Sequence, residues 1–462
     1  MTAERGDGVL LGKRALVVGA GMGGMMAAEV LSKFFETVVV LDKDDLPHPP
    51  APRQGVPQGS HVHALLVQGR RNLERLFPGI TSELIDRGAV GTRAGLDFLI
   101  CDPAGWHPRR NLDLALLCMS RPLLEGAVRD LLRRNPRIEI RDNTAVEGWQ
   151  FTDGALTGVV VGGADGAATL PADLVIDATG RSGNSLSWLA AGGFGPVEET
   201  TLEIGTGYAS AIFRKPAGWR GPADSISISS GDPDTRGGFL FSIEDDCWFA
   251  SLTGRFEQAP PGDPDKWMEY ARNLRVPELY ERVNQGERIT PIKVYRAPIS
   301  RWRRYEKLAR HPERVLPVGD ALAHVNPVFG QGMTLASVHV MGLWDILAER
   351  AGSGGGLDGL AVPYFNRGHA FTKGVWQALE NIEFGYVKTK GERPADIDMR
   401  IAFTNALREL IVEDAEVHKL MIEVGHLIRT GDALMRPDIR DRVTRILQAK
   451  RSNPALAEGS LP

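Results

Sequence analysis

Apolar and polar positions along the chain fall into an order that names its elements before any residue chemistry is considered. Arg14–Gly19 is a short apolar run that enters a glycine-rich turn, and Met22 to Phe35 carries helix formers with apolar residues on most faces. That is the pattern of a helix buried against a sheet. Thr37–Leu41 is a second apolar run, ending at Asp42. Strand, turn, helix and strand in this order open a parallel doubly wound domain. Pro47 to Pro57 holds five prolines and one glycine and reads as an irregular loop. Ala64–Phe77 has helical spacing. Asp97–Cys101 and the residues around Trp106 read as a hairpin turning at Asp102–Gly105. Arg121–Arg134 reads as a helix with Ser120 as its N-cap. Strands are expected at Ile138–Arg141, Ala145–Phe151, Leu156–Val161 and Leu174–Ile176, with a hairpin loop at Gly162–Gly166 between the last two.

From Glu198 to Ile299 the pattern changes to alternation, as in Tyr208–Phe213, Ser225–Ser229, Phe239–Ser242 and Trp248–Leu252. This predicts an antiparallel sheet, interrupted by one helix over about Asp265–Gly286. Arg314–Val318 and a helix over about Met333–Arg350 return to the first pattern. Ser353–Gly356 reads as a flexible connector, Val362–Gln448 is nearly all amphipathic helix, and roughly the last dozen residues are expected to fray. The predicted class is therefore α/β. A Rossmann-like domain in split segments (1–92, 121–197 and 311–352) is joined to an antiparallel-sheet substrate domain at 198–310. A hairpin at 93–120 joins the substrate domain, and a helical region fills 353–462.

The 462 residues are enough for several domains and an enclosed ligand site. With 54 Lys+Arg against 58 Asp+Glu the net charge is −4, and no basic stripe is present, which argues against a nucleic-acid partner. No apolar run is long enough to cross a bilayer, and Met1–Gly12 lacks the form of a secretory signal. Three scattered cysteines make neither a disulfide frame nor a zinc cluster, so no metal is expected. These readings point to a soluble, cytoplasmic enzyme.

Gly19-Ala-Gly21-Met-Gly-Gly24 fits G-x-G-x-x-G after a strand and before a helix. Gly19 permits the turn, Gly21 lets the backbone approach a pyrophosphate, and Gly24 lets helix and strand pack closely. Asp42, with seventeen residues between it and Gly24, stands where an acid holds a ribose hydroxyl pair. Two later stretches also end strands in glycine turns: Asp177-Ala-Thr-Gly180-Arg181, and Gly319-Asp320-Ala321 followed by Pro327-Val-Phe-Gly330-Gln331-Gly332-Met333. The second lies about 300 residues beyond Gly19, which argues for an extended cofactor spanning the domain.

Together, over about Arg14–Arg350, these motifs resemble the FAD-dependent monooxygenases of the aromatic-hydroxylase fold. The resemblance implies that Asp320 binds near the ribityl and pyrophosphate part of FAD. It implies that backbone N–H groups of Pro327–Met333 face the flavin N1–C2=O edge, that Arg121 touches the cofactor, and that Val146 makes a backbone contact near adenine. A narrower stretch, Arg53-Gln-Gly-Val-Pro57-Gln58-Gly-Ser-His61-Val-His63, together with Leu76-Phe-Pro-Gly79, is similar to the bacterial polyether epoxidases of the lasalocid and monensin pathways. It implies a loop beside the isoalloxazine ring, with Arg53 on the cofactor and Gln58, His61 and His63 on the flavin or substrate side.

The family implies oxygen transfer from a flavin C4a-hydroperoxide to an apolar small molecule in secondary metabolism. Its electrons come from NAD(P)H, either directly or through a separate flavin reductase. No histidine occurs between Glu198 and Ile299, which favours a neutral acceptor such as an alkene over a phenol that needs a base. Epoxidation is thus the leading reading. Aromatic hydroxylation, or a geranylgeranyl-reductase-like reaction without oxygen transfer, stays open, as does a non-enzymatic flavin-binding role. A flavin halogenase is disfavoured, because no lysine occurs from Asp44 to Arg214 and no W-x-W occurs anywhere. Tyr208, Phe213, Phe239, Phe241, Trp248 and Phe249 are candidate pocket walls, though strand alternation should send about half of them to the core.

Overall fold

A computed structural model describes residues 9–162, 166–219, 221 and 225–452. The first layer is a five-stranded parallel sheet in the order Val315–Pro317, Leu174–Asp177, Gly12–Val18, Phe35–Leu41, Ile138–Arg141. The helices Met22–Leu31, Arg121–Arg133 and Gly332–Ser353 cover one face. Met25, Ala27, Ala28 and Leu31 of the first helix are fully buried against it. The other face is closed by the antiparallel sheet Val146–Thr152, Ala155–Val161 and Ala168–Pro171. The chain leaves Gly12–Val18 on one side for Phe35–Leu41 and returns on the other side as Leu174–Asp177. The carboxyl ends of these strands therefore border a topological switch point, where ligands of such sheets sit.

The second layer is a large sheet running Ala323–His324, Lys293–Arg303, Glu199–Arg214, Cys247–Arg255, Gly237–Ile243, Ser225–Ile228, Phe98–Asp102, Gly105–Trp106. It is mixed rather than purely antiparallel, since Ser225–Ile228 pairs in parallel with Phe98–Asp102. The expected hairpin at 102–105 is present and extends this sheet. The outer face carries Pro264–Arg272 and Glu278–Val283, two helices where one was expected. Asn273 caps the first, and Pro277 starts the second. The strand Ala168–Pro171, not Leu174–Asp177, completes the hairpin after Ala155–Val161, and its loop at 163–165 lies outside the described residues.

The helix expected to end near Arg350 continues to Ser353 and closes on Gly354 in the left-handed region, so the connector is shorter than its glycines suggest. The remainder is helical at Ala361–Glu383, Ile397–Glu413, Ala415–Gly425 and Pro437–Ser452. Residues 453–462, expected to fray, lie outside the described residues. Within this nearly all-helical region the short strand Lys390–Gly391 adds to Leu202–Glu203 of the large sheet. Among the described residues no helix is long and apolar enough to cross a membrane.

Candidate active site

The two layers enclose a cavity of about 310 Å³ between the carboxyl ends of the parallel strands and the inner face of the large sheet. It begins at the glycine turn. Gly19 has φ +109°, and a Cβ there would stand 2.3 Å from the Ala178 carbonyl oxygen. A Cβ on Gly24 would stand 1.9 Å from the Gly19 oxygen, so Gly24 serves helix–strand contact and does not line the cavity. Gly21 is different: nothing among the described residues lies within 4 Å of its missing side chain, and it faces the cavity. The helix that follows has no side-chain cap and no acid in its first turn, which leaves its N–H groups for an anion.

Asp42 borders the cavity but is not a free carboxylate. Its Oδ2 accepts from the Ala20 N–H at 2.6 Å and from Arg53 Nη1 at 3.0 Å, and its Oδ1 from the Asp44 N–H at 2.9 Å. Arg53 also donates to Asp44 at 3.2 Å, to Glu125 at 3.3 Å and to the Ala20 carbonyl at 2.9 Å. Burial works against its charge, but Glu125, Asp42 and Asp44 outweigh it and hold the guanidinium above its ordinary pKa. Arg53 therefore lines the cavity as a brace for acids, not as an unoccupied anion hook. Arg121 Nε donates to Glu125 at 2.8 Å and shares the same cluster. Burial of Glu125 would raise its pKa; Arg121 and Arg53 keep it below the usual carboxylate range. Val146 borders this end of the cavity, beside Thr144 and Ala145.

The far wall is the second and third glycine turns. Gly180, Gly319 and Gly330 have φ of +74°, +61° and +64°, and all three face the cavity with Asp320, Pro327, Gly332 and Met333. Asp320 is 3.0 Å from His324 Nδ1. Burial would raise its pKa, but His324, Arg121 and Arg181 hold it below the ordinary value and so anionic. From behind, the Gly319 N–H donates to His339 Nδ1 at 3.3 Å, and His339 Nε2 meets Thr372 Oγ1 at 3.1 Å. Gln331 is expected to contribute its backbone, not its side chain. It caps the helix with its backbone, while its side chain turns outward and donates to the Gly425 carbonyl at 3.1 Å, so it is no cavity residue.

The third wall comes from the proline-rich loop and the large sheet. Gln58, His61 and His63 all border the cavity. The His61 ring packs on Tyr208 and Tyr295, with centroids 5.9 Å and 5.4 Å away. Burial pushes the His61 pKa down to about 4; burial and the nearby Arg121 push that of His63 to about 3. Both rings are therefore neutral near pH 7.

Of the aromatic residues expected in the pocket, Tyr208 alone lines it. Strand parity explains the rest. Tyr208 and Ser210 point inward, whereas Ala209, Ala211 and Phe213 point to the helices on the outer face. Trp248 stands opposite Phe213 and joins it in that core, around the buried Trp267. Phe239 and Phe241 share the inner face, but they pack with Phe98, Leu66 and Ile428 away from the cavity. Phe249 packs with Ile243 and Cys247.

Sequence reasoning missed Tyr295, which stands directly opposite Tyr208 and has the Arg181 guanidinium 5.0 Å from its ring centre. It also missed Asn326. This side chain is fully buried, accepts from Tyr208 Oη at 3.2 Å and from the Val328 N–H at 3.1 Å, and donates to Glu383 at 2.7 Å. Glu383 in turn is ion-paired with the buried Arg255. Alternation in Lys293–Arg303 could have pointed to Tyr295; no local pattern marks Asn326.

Comparison with known proteins settles the family. Residues 89–378 match the family described as FAD binding domain. The chain belongs to that family. A curated relative of this FAD-binding chain is Protein Rv3254 of Mycobacterium tuberculosis, 33% identical over 337 residues and covering 70% of each chain. Solved structures share the fold. The flavin-dependent brominase Bmp2 superposes with a TM-score of 0.66 at 12% identity, over 96% of this chain and 100% of that one. The p-nitrophenol 4-monooxygenase PnpA of Pseudomonas putida gives 0.62 at 20% identity, over 90% and 99%. PqsL, a probable FAD-dependent monooxygenase of Pseudomonas aeruginosa, gives 0.60 at 17%, over 89% and 98%. The chain is an enzyme of the FAD-dependent monooxygenase family.

The residues present fit FAD. The open cradle at Gly21, two uncapped helix starts without acids in their first turns, and left-handed glycines on the opposite wall let backbone N–H groups approach an anionic, elongated molecule.

Proposed function

We propose that the chain is a monooxygenase that places one atom of O₂ on an apolar small molecule by epoxidising an alkene. The other oxygen atom leaves as water, at the expense of one NAD(P)H used directly or through a separate reductase. The observation that carries this reading is the single cavity joining Gly21, Asp42 and Val146 to Asp320 and then to His61, Tyr208 and Tyr295. In it Gly21 and the start of the Met22–Leu31 helix would hold the pyrophosphate, Asp42 and Val146 the adenosine end, and Asp320 the ribityl chain. Gly330, Gly332 and Met333 would lie along the ring edge. When bound, FAD supplies the two-electron chemistry that activates O₂.

The chain's own residues then exclude water and set the polarity of the reactive end. His61 and His63 are neutral, and the Tyr208 hydroxyl is committed to Asn326. Burial raises the pKa of Tyr208 and of Tyr295, so neither is a ready phenolate. With pKa values of about 4 and about 3 the two imidazoles are weak bases, and such a wall suits an alkene, which needs no deprotonation, better than a phenol. Among the described lining residues the one lysine, Lys43, adjoins Asp42 at the ribose end, which gives no support to halogenation.

The test is turnover under ¹⁸O₂ of alkene-bearing metabolites by the FAD-loaded chain. Product carrying one heavy oxygen supports the reading. Turnover to a saturated product without label replaces it with a reductase.

A further inference from the structure

Hydrogen-bond partners fix where two cavity histidines carry their protons. His63 Nδ1 lies 2.8 Å from the His61 carbonyl oxygen, which can only accept. Its hydrogen is therefore on Nδ1, and the neutral ring leaves a lone pair on Nε2. His61 Nδ1 lies 2.7 Å from Ser210 Oγ, Ser210 Oγ lies 2.5 Å from Ser251 Oγ, and Ser251 Oγ accepts from the Val62 N–H at 3.1 Å. Each hydroxyl has one hydrogen to give. If His61 donated into this chain, Ser210 would donate to Ser251, and the Ser251 hydrogen would be left without an acceptor in a buried site. Run the other way, Ser251 donates to Ser210 and Ser210 to His61 Nδ1, and every hydrogen is used. Buried hydroxyls without partners are costly, so the second arrangement holds.

We propose that Ser251 and Ser210 are positioning residues that lock His61 with its hydrogen on Nε2, and that this donor selects a substrate bearing an acceptor oxygen, a carbonyl or ether, beside its apolar framework. His61 Nε2 has no partner among the described residues, and the ring lines the cavity. Tyr208, its neighbour on this wall, has already given its hydrogen to Asn326. The two histidines of His61-Val62-His63 thus stand in opposite tautomers, one presenting a donor and the other an acceptor. The substrate part of this inference rests on the monooxygenase reading; the tautomer part does not.

The experiment is long-range ¹H–¹⁵N NMR on the FAD-loaded chain with ¹⁵N-labelled histidine, the His61 signals being assigned with His61→Gln. Wild-type chain is expected to show His61 protonated on Nε2 only and His63 on Nδ1 only. Ser210→Ala should give mixed tautomers at His61, and Ser210→Thr should restore the single form. A proton on Nδ1 of wild-type His61, or no change in Ser210→Ala, overturns the relay. In parallel, cyclohexanone and methylenecyclohexane, alike in shape, are titrated by flavin absorbance. The ratio of ketone to alkene affinity should fall about tenfold from wild type to His61→Phe; an unchanged ratio overturns the selectivity. A chain that retains no FAD but keeps the His61 tautomer would fail the monooxygenase reading alone.

Discussion

Arg53 reaches Asp42 at 3.0 Å while a second guanidinium nitrogen donates to the Ala20 carbonyl at 2.9 Å, so one cation ties the end of the second strand to the middle of the glycine turn. A lysine offers one nitrogen and cannot serve Asp42, Glu125 and Ala20 together. Arg53→Lys is expected to cost about 2–4 kcal/mol of stability, because buried carboxylates lose their partner, and to weaken FAD binding. Urea unfolding and FAD titration of the variant measure both effects.

The glycines of the first turn should separate by role. Gly21→Val places its side chain in open cavity, so the chain is expected to fold with a melting temperature near that of wild type lacking FAD, yet to purify without flavin. Gly24→Ala puts a methyl against the Gly19 oxygen and should lower the melting temperature even without FAD. Flavin content and calorimetry on the two variants test this split; normal flavin content in Gly21→Val contradicts the placement of the pyrophosphate.

Asp320 has one hydrogen-bond partner among the described residues, His324, so the fold has little need of it. Asp320→Ala is expected to raise the Kd for FAD at least about tenfold, the worth of one or two charge-assisted hydrogen bonds, with little change in denaturant midpoint. Fluorescence titration with FAD checks the first part and urea unfolding the second.

Acid should destabilise the fold earlier than its carboxylates alone would dictate. Burial holds His61, His339, His418 and His426 at pKa values of about 4 and His63 at about 3, against 6.5 when unfolded. Between pH 6.5 and about 4 the unfolded chain binds protons that the folded chain refuses. Stability is therefore fully present above pH 6.5 and falls as pH drops through that window, by at most about 1.4 kcal/mol per pH unit for each group. Among the described residues neither ring nitrogen of His418 has a hydrogen-bond partner, so His418→Leu should flatten the dependence without a matching loss at pH 7.5. Denaturant midpoints measured from pH 7.5 to 4.5 give the slope for both chains.

The parallel layer was legible because its signals are local: a glycine spacing, two apolar runs and an acid at the end of the second. The same is true of Asp320 and of the Gly330–Met333 turn, whose backbone faces the cavity whatever the side chains do. What needed the third dimension was facing. Alternation puts Tyr208 and Phe213 on opposite faces, but only the pairing with Lys293–Arg303, shifted by a bulge between Glu203 and Thr206, brings Tyr295 opposite Tyr208. At Gln331 the side chain was equally unreadable, since its motif describes a backbone and says nothing of where the amide goes. The single helix expected over Asp265–Gly286 overlooked Pro277, a break that was readable in the sequence.

The helix Ala361–Glu383 steadies the far wall of the cavity at two points: Thr372 backs His339 beneath Gly319, and Glu383 grips Asn326 ahead of Pro327. Neither residue lines the cavity. A change at either of these buried positions can therefore be felt where the flavin would lie, and anyone trimming the carboxyl-terminal helices to obtain a minimal flavin module would remove the scaffolding that keeps that wall in shape.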